Sequence, residues 1–191
     1  MVSRVFKPLA LTMALVAGVS QQVLALAADN EGDGSRRIDV GFSPEGSAQK
    51  LVLRTIDAAT SSIRVAAYVF TSPDVTRALV AAKQRGVDVA VVADHRSNLE
   101  EARSTAGRHA LTLLAKAGIP TRTVKSYSIH HDKFMVVDGM AVETGSFNFT
   151  AAAKSNSENA LVVWNDPALA ETYLNHWQSR WDQGQAFKVK Y

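Results

Sequence analysis

The chain has 191 residues, no cysteine and a formal net charge of +3. That length suits one domain, and the missing cysteines exclude both a disulfide framework and a lipidated N-terminal cysteine. Removing Arg4 and Lys7 with the first 27 residues leaves 19 basic residues against 18 acidic ones, so a uniformly basic surface is excluded and a polyanion would have to be met by a local positive cleft.

In chain order, Arg4 and Lys7 precede an apolar run from Leu9 to Val19 that is too short to span a bilayer as a stable helix. Ala25-Leu26-Ala27 fits a small-x-small cleavage site. Residues 1–27 therefore read as a signal peptide, which implies a periplasmic or secreted protein with no stable membrane anchor after cleavage. Residues 28–37, polar and rich in glycine, read as a flexible linker that holds Arg36 and Arg37. Residues 38–191 read as the folded domain.

Within it, Ile38 to Phe42 is expected as a short strand. Ser47 is placed to N-cap a helix running to about Thr60. Ile63 to Phe70 has no polar face and reads as a buried strand. Pro73 opens a helix that ends before Gly86. Val87 to Ala93 is another apolar strand, and a polar loop begins at Ser97. A helix is expected from about Thr105 to Ala117, then strands at Ile119 to Val124 and Ala160 to Trp164, and a last helix from Pro167 to near Gly184. Alternating strands and helices followed by a hairpin predict an α/β fold, a mixed β-sheet with helices on both faces.

The hairpin carries the chemistry. Residues 129–150 read IHHDKFMVVDGMAVETGSFNFT. Asp138-Gly139 between two apolar runs signals a type I′ turn, which pairs Val137 with Met140, Lys133 with Thr144 and His131 with Ser146. Alternation along each strand would then gather His131, Lys133, Ser146 and Asn148 on one face. His130, Phe147 and Phe149 would point the other way. Asp138 has the opposite parity and reads as a turn residue held by local hydrogen bonds. Gly145 either lets a phosphate approach the backbone or relieves crowding between strands.

These side chains suit a phosphodiester. A neutral imidazole can attack phosphorus and form a covalent intermediate. Lys133 offers a point charge, and Ser146 and Asn148 offer directional donors for phosphate oxygens. An attacking imidazole needs its second nitrogen held, and Glu158 is a candidate for that task at the entrance of the strand Ala160 to Trp164. The equal alternative for Glu158 is a solvated carboxylate.

The spacing His131-x-Lys133, four residues, Asp138, six residues, Gly145-Ser146-x-Asn148 resembles the phospholipase D superfamily signature at every fixed position. The likeness extends over roughly residues 38–191 and points to the small bacterial endonucleases of that superfamily, with a phospholipase D/nuclease-like fold. It implies a metal-independent phosphodiesterase that cuts DNA, with RNA the other nucleic acid candidate, through a phosphohistidine. It implies no metal and no cofactor. It also supports Glu158 as the residue that orients the nucleophile. Since the chain holds one copy of the motif and the reaction wants two histidines, the resemblance implies a homodimer that shares one site. Two other readings stand beside it: phospholipase D or phosphatidyl-transfer activity on lipids, and a non-catalytic nucleic-acid-binding module.

The remaining notable residues have plainer readings. His95 follows a strand end but is expected as a solvated loop residue. His109 and His176 are expected at helix surfaces or the core edge. Trp177 and Trp181, at i and i+4, are expected to pack. Arg122 and Lys125, near the motif in sequence, are candidates for the positive cleft.

Overall fold

The architecture comes from a computed structural model, which describes residues 35–101 and 104–189. The expected signal peptide and most of the linker lie outside those residues. An eight-stranded sheet runs through the domain in the order β1 (Arg37–Ser43), β7 (Glu158–Trp164), β6 (Ala141–Gly145), β5 (Lys133–Val137), β2 (Ser62–Ala67), β3 (Asp88–Asp94), β4 (Thr121–Val124), β8 (Gln185–Ala186). β2, β3 and β4 are parallel and the other pairings are antiparallel, which makes the sheet mixed, as expected.

Helices cover both faces. α1 (Ser47–Asp57), α2 (Pro73–Gln84) and α4 (Ser104–Lys116) contribute to one core with Ile63, Val65, Val89, Val91, Met135 and Val162. On the other face α5 (Pro167–Gln183) packs Ala170 and Trp177 against Ala66, Val92, Phe134, Val136 and Val142. The continuous apolar runs in β2, β3 and β5 follow from burial on both faces.

Most element boundaries match the sequence reading to within three residues, and the departures have physical causes. The segment after β3 is not a plain loop: His95–Leu99 forms a short helix, α3, capped by the Asp94 side chain accepting from Ser97 N at 2.7 Å. Ser47 does not cap α1. Its hydroxyl accepts from Phe42 N at 2.8 Å and donates to Phe42 O at 3.1 Å, tying β1 to the helix start, while Gly46 in the left-handed region precedes the helix. Arg37 is not linker but the first residue of β1, stacked over Trp164, and Arg36 pairs with Asp166.

The hairpin register also differs by one. The type I′ turn is present: Asp138 and Gly139 have φ of 54° and 65°, and Met140 N donates to Val137 O at 3.0 Å. Met140 is an extra residue in the ladder, however, so Val137 pairs with Ala141 and Phe134 with Thr144. The carbonyl of Met140 accepts from Asp166 N at 2.9 Å. That bond from the approach to α5 pulls Met140 out of register as a bulge. Lys133 therefore sits one place from its expected partner, and His131 lies before the strand rather than in it.

Candidate active site

The topology brings one end of several strands to a common edge. Ala67 at the end of β2 pairs with Lys133 at the start of β5. Gly145 at the end of β6 neighbours β7, whose first residue is Glu158. The chemistry-bearing part of the motif lies along that edge, and Asp138 lies at the opposite one.

His131 is exposed, in the irregular stretch before β5. Lys133 Nζ donates to the His131 carbonyl at 3.0 Å and lies 3.1 and 3.2 Å from Nδ1 and Nε2 of its ring. Tyr68, just past β2, holds its ring tilted by 48° with its centre 4.5 Å from that of the His131 ring, and Lys133 Nζ lies 5.2 Å from the Tyr68 ring centre. Partial burial pulls the Lys133 ammonium below its ordinary pKa, against the opposing pull of the Glu158 and Asp132 carboxylates. Glu158 thus acts on Lys133 through space. Its own hydrogen bond comes from Asn156 Nδ2 at 3.1 Å, and it makes none to His131.

The four residues expected on one face are not all gathered. His131 and Lys133 line a cavity of about 440 Å³ on the α5 side, with Asp132, Thr144, Tyr173 and His176. Asn148 lines a second hollow of about 620 Å³, with Tyr68, Ser97, Thr150 and Asn156. Tyr68 stands between the two. The Oδ1 of Asn148 is buried without a hydrogen-bond partner. A buried amide oxygen left unpaired is costly, so this atom is a natural acceptor for something that enters the hollow. Ser146 is occupied instead: its Oγ accepts from Asn159 N at 3.0 Å and its own N donates to Asn159 Oδ1 at 3.4 Å. Phe147 and Phe149 point into the core as expected. At Gly145 a Cβ would lie 2.2 Å from the Asn159 carbonyl, so strand crowding explains this glycine.

Asp138 sits in the turn, as expected, but its bonds are not local. Its carboxylate accepts from the N and hydroxyl of Thr60 and Ser61 and from Ser62 N, at 2.8 to 2.9 Å. Those five donors hold its pKa down at about 2.

His130 is buried, facing away from His131, and burial pushes its pKa down. Arg122 and Lys125 do not converge on His131. Arg122 donates to the Trp181 carbonyl at 2.8 Å and stacks on the Trp181 ring, and Lys125 pairs with Glu100 at 2.6 Å. Trp177 and Trp181 stack at 4.8 Å, as packing residues. His95 is no solvated loop residue: its Nδ1 lies 2.9 Å from Thr123 Oγ1 and its Nε2 3.3 Å from Glu100. Among the described residues no group of three or more His, Asp or Glu side chains is arranged to hold a metal ion.

Sequence reasoning passed over Tyr68 and Asp132, and read His176 only as a residue of a helix surface or the core edge. Tyr68 had a signal, a polar aromatic at the carboxyl end of a buried parallel strand, where α/β sheets place their sites. Asp132 and His176 had none, since their contact joins residues 44 apart.

The profile of the PLD-like domain of cardiolipin synthase matches residues 52–181. With this fold and motif, the chain belongs to the phospholipase D superfamily and is a phosphodiesterase-type hydrolase. Within it, the crystal structure of the phospholipase D family member Nuc from Salmonella typhimurium matches with a TM-score of 0.78 and 53% identity, covering 81% of this chain and 100% of that one. The phospholipase D of Rickettsia conorii is 38% identical over 169 residues, 85% of this chain and 81% of the other. The human mitochondrial cardiolipin hydrolase is 33% identical over 141 residues, 73% of this chain and 54% of its own. NucT from Helicobacter pylori has the same fold, with a TM-score of 0.70 at 22% identity.

Proposed function

We propose that this chain is a metal-independent endonuclease that cuts DNA, with RNA as a second substrate, through a phosphohistidine on His131. The observation that carries this reading is the exposed His131 imidazole beside the Lys133 ammonium, 3.1 Å away, both lining the cavity on the α5 side. A ring nitrogen of His131 attacks phosphorus, and the bond to the leaving oxygen breaks as that oxygen takes a proton. Water, giving up a proton to the same acid–base partner, then attacks phosphorus as the phosphorus–nitrogen bond breaks, which releases a phosphomonoester and frees the histidine. Lys133 stabilises charge on the non-bridging oxygens, and a substrate that also reaches the neighbouring hollow would take a hydrogen bond from the Asn148 Nδ2. Glu158 supports the ammonium of Lys133. The proton for the leaving oxygen needs a second histidine at the site, and a homodimer supplies it from the second copy. Exposure of His131 leaves it open to such a partner. The export signal read in residues 1–27 supports an activity in the periplasm or outside the cell.

Cleavage of a lipid phosphodiester is the second reading. Tyr127 and Ile129, just before His131, are 38% and 50% exposed and would suit an apolar substrate. The similar proteins named phospholipase D and cardiolipin hydrolase point the same way.

The experiment is nicking of supercoiled plasmid by the purified chain in excess EDTA, beside His131→Ala. Nicking by the parent alone is the expected result. Equal nicking by both proteins, or nicking only with added divalent metal, would overturn the mechanism. Inertness of both on DNA and RNA, with release of headgroup from phospholipid vesicles by the parent, would replace the nuclease by the lipid reading.

A further inference from the structure

His131 occupies residues 125–132, an irregular stretch between β4 and β5, so no strand ladder fixes its backbone. Its two neighbours are fixed instead. His130 N donates to Asp94 Oδ2 at 2.8 Å, and the His130 side chain is buried. Asp132 Oδ2 accepts from His176 Nε2 at 2.8 Å, with His130 Nδ1 at 3.5 Å and Arg180 Nε at 3.9 Å around it. His176 and Arg180 lie one turn apart on α5.

The helix does not need His176 for its own seating. Trp177 is buried and donates from Nε1 to the Val65 carbonyl of β2 at 2.9 Å, and Ala170 is fully buried on the same face. The His176 side chain is 38% exposed and lines the same cavity as His131. A packing contact would serve to hold a helix. A hydrogen bond to one carboxylate oxygen fixes a direction as well, and here it fixes the residue between His131 and Lys133.

We propose that Asp132 and His176 form a positioning pair, which sets the backbone on the β5 side of His131 and thereby aims its imidazole at phosphorus. The pair rests on the reading of His131 as nucleophile and on nothing about DNA or lipid. The path runs from β2 through Trp177 and His176 to Asp132. A displacement of the nucleophile by about 1 Å costs on the order of 10²-fold in rate, so the pair acts on kcat and leaves substrate affinity alone.

The test uses the full chain and bis(p-nitrophenyl) phosphate, a phosphodiester with no base and no acyl chain. His176→Ala should lower kcat by roughly 30- to 100-fold with KM unchanged within about threefold. His176→Gln, whose amide reaches the position of Nε2 and still donates to Asp132, should recover most of kcat. Asp132→Ala should resemble His176→Ala, and the double variant should fall no further than the worse single one. Thermal unfolding of each variant is read alongside. A kcat for His176→Ala within threefold of the parent would overturn the pair, as would a loss confined to KM. So would a Tm drop that parallels the rate loss with no recovery by Gln. No hydrolysis by the parent, or equal hydrolysis by His131→Ala, would remove the nucleophile reading and the pair with it. Activity on this ester without activity on DNA would remove the endonuclease reading alone.

Discussion

The motif hairpin has two ends with opposite characters. At the turn, Asp138 has its carboxylate filled by five donors from residues 60–62. At the mouth, His131 is exposed, Lys133 is half-buried with a depressed pKa, and the Asn148 oxygen has no partner. One end is saturated and the other is left wanting. Polar groups satisfied within the chain have nothing to offer a substrate, and unsatisfied ones are costly unless something fills them. The letters of a single motif therefore divide between those held within the fold and those left open to a substrate, and the hydrogen bonds draw that division alongside the opposite parity of Asp138.

Several substitutions press on that division. Lys133→Ala, at the mouth, should lower kcat for phosphodiester hydrolysis by about 10³-fold with the Tm unchanged. A large stability loss with it would make Lys133 a folding residue and erase the contrast. Between the two ends lies Glu143, fully buried, with one oxygen unpartnered and its pKa raised by burial to about 8. The folded state keeps its proton where the unfolded state has lost it, so this contribution to stability is fully present below pH 4.5 and is lost as the pH climbs to about 8. Denaturant unfolding should show a loss on the order of 3 kcal/mol between pH 5 and pH 8, absent in Glu143→Gln.

Asp138→Asn tests the turn end. An amide presents its NH2 to backbone donors and cannot accept from all five. The cost should be about 2 kcal/mol at neutral pH, with activity per folded molecule near that of the parent. Because the folded pKa is depressed, this contribution is present above pH 4 and is lost as the pH falls through about 2, so parent and variant should converge in acid. Ser146→Ala gives the smallest effect, about 1 kcal/mol of stability from the lost bond to Asn159 N. Its kcat should change less than tenfold. A loss as large as that of Lys133→Ala would show that the hydroxyl also serves the phosphate.

The sequence carried most of the fold because the burial pattern is strong. β2 and β3 are apolar on both faces, and Pro73, Pro167, Gly86 and Gly118 mark helix ends in plain view. It misplaced the hairpin by one residue because the cause, the bond from Asp166 N to Met140 O, joins positions 26 apart. The same limit applies to the site. His131, Lys133 and Asn148 were visible as a pattern, but their division between two hollows depends on Tyr68, which follows β2, far from the motif in sequence. Local reading assigned Asp138 to the turn for its turn propensity, whereas the fold ties it to residues 60–62. Arg122 looked available for a cleft until α5 claimed it. In each case a partner distant in sequence made the difference.

β5 lies well inside the sheet, with β6 on one side and β2 on the other, and its residues Phe134 to Val137 are buried. Its amides should be among the last in the chain to exchange with deuterium, at the free energy of global unfolding. Lys133, which begins that strand, has its backbone rooted in the slowest-exchanging layer, whereas His131 is two residues outside it. Hydrogen exchange should therefore change sharply from one motif residue to the next, and that boundary marks where His131 has room to adjust.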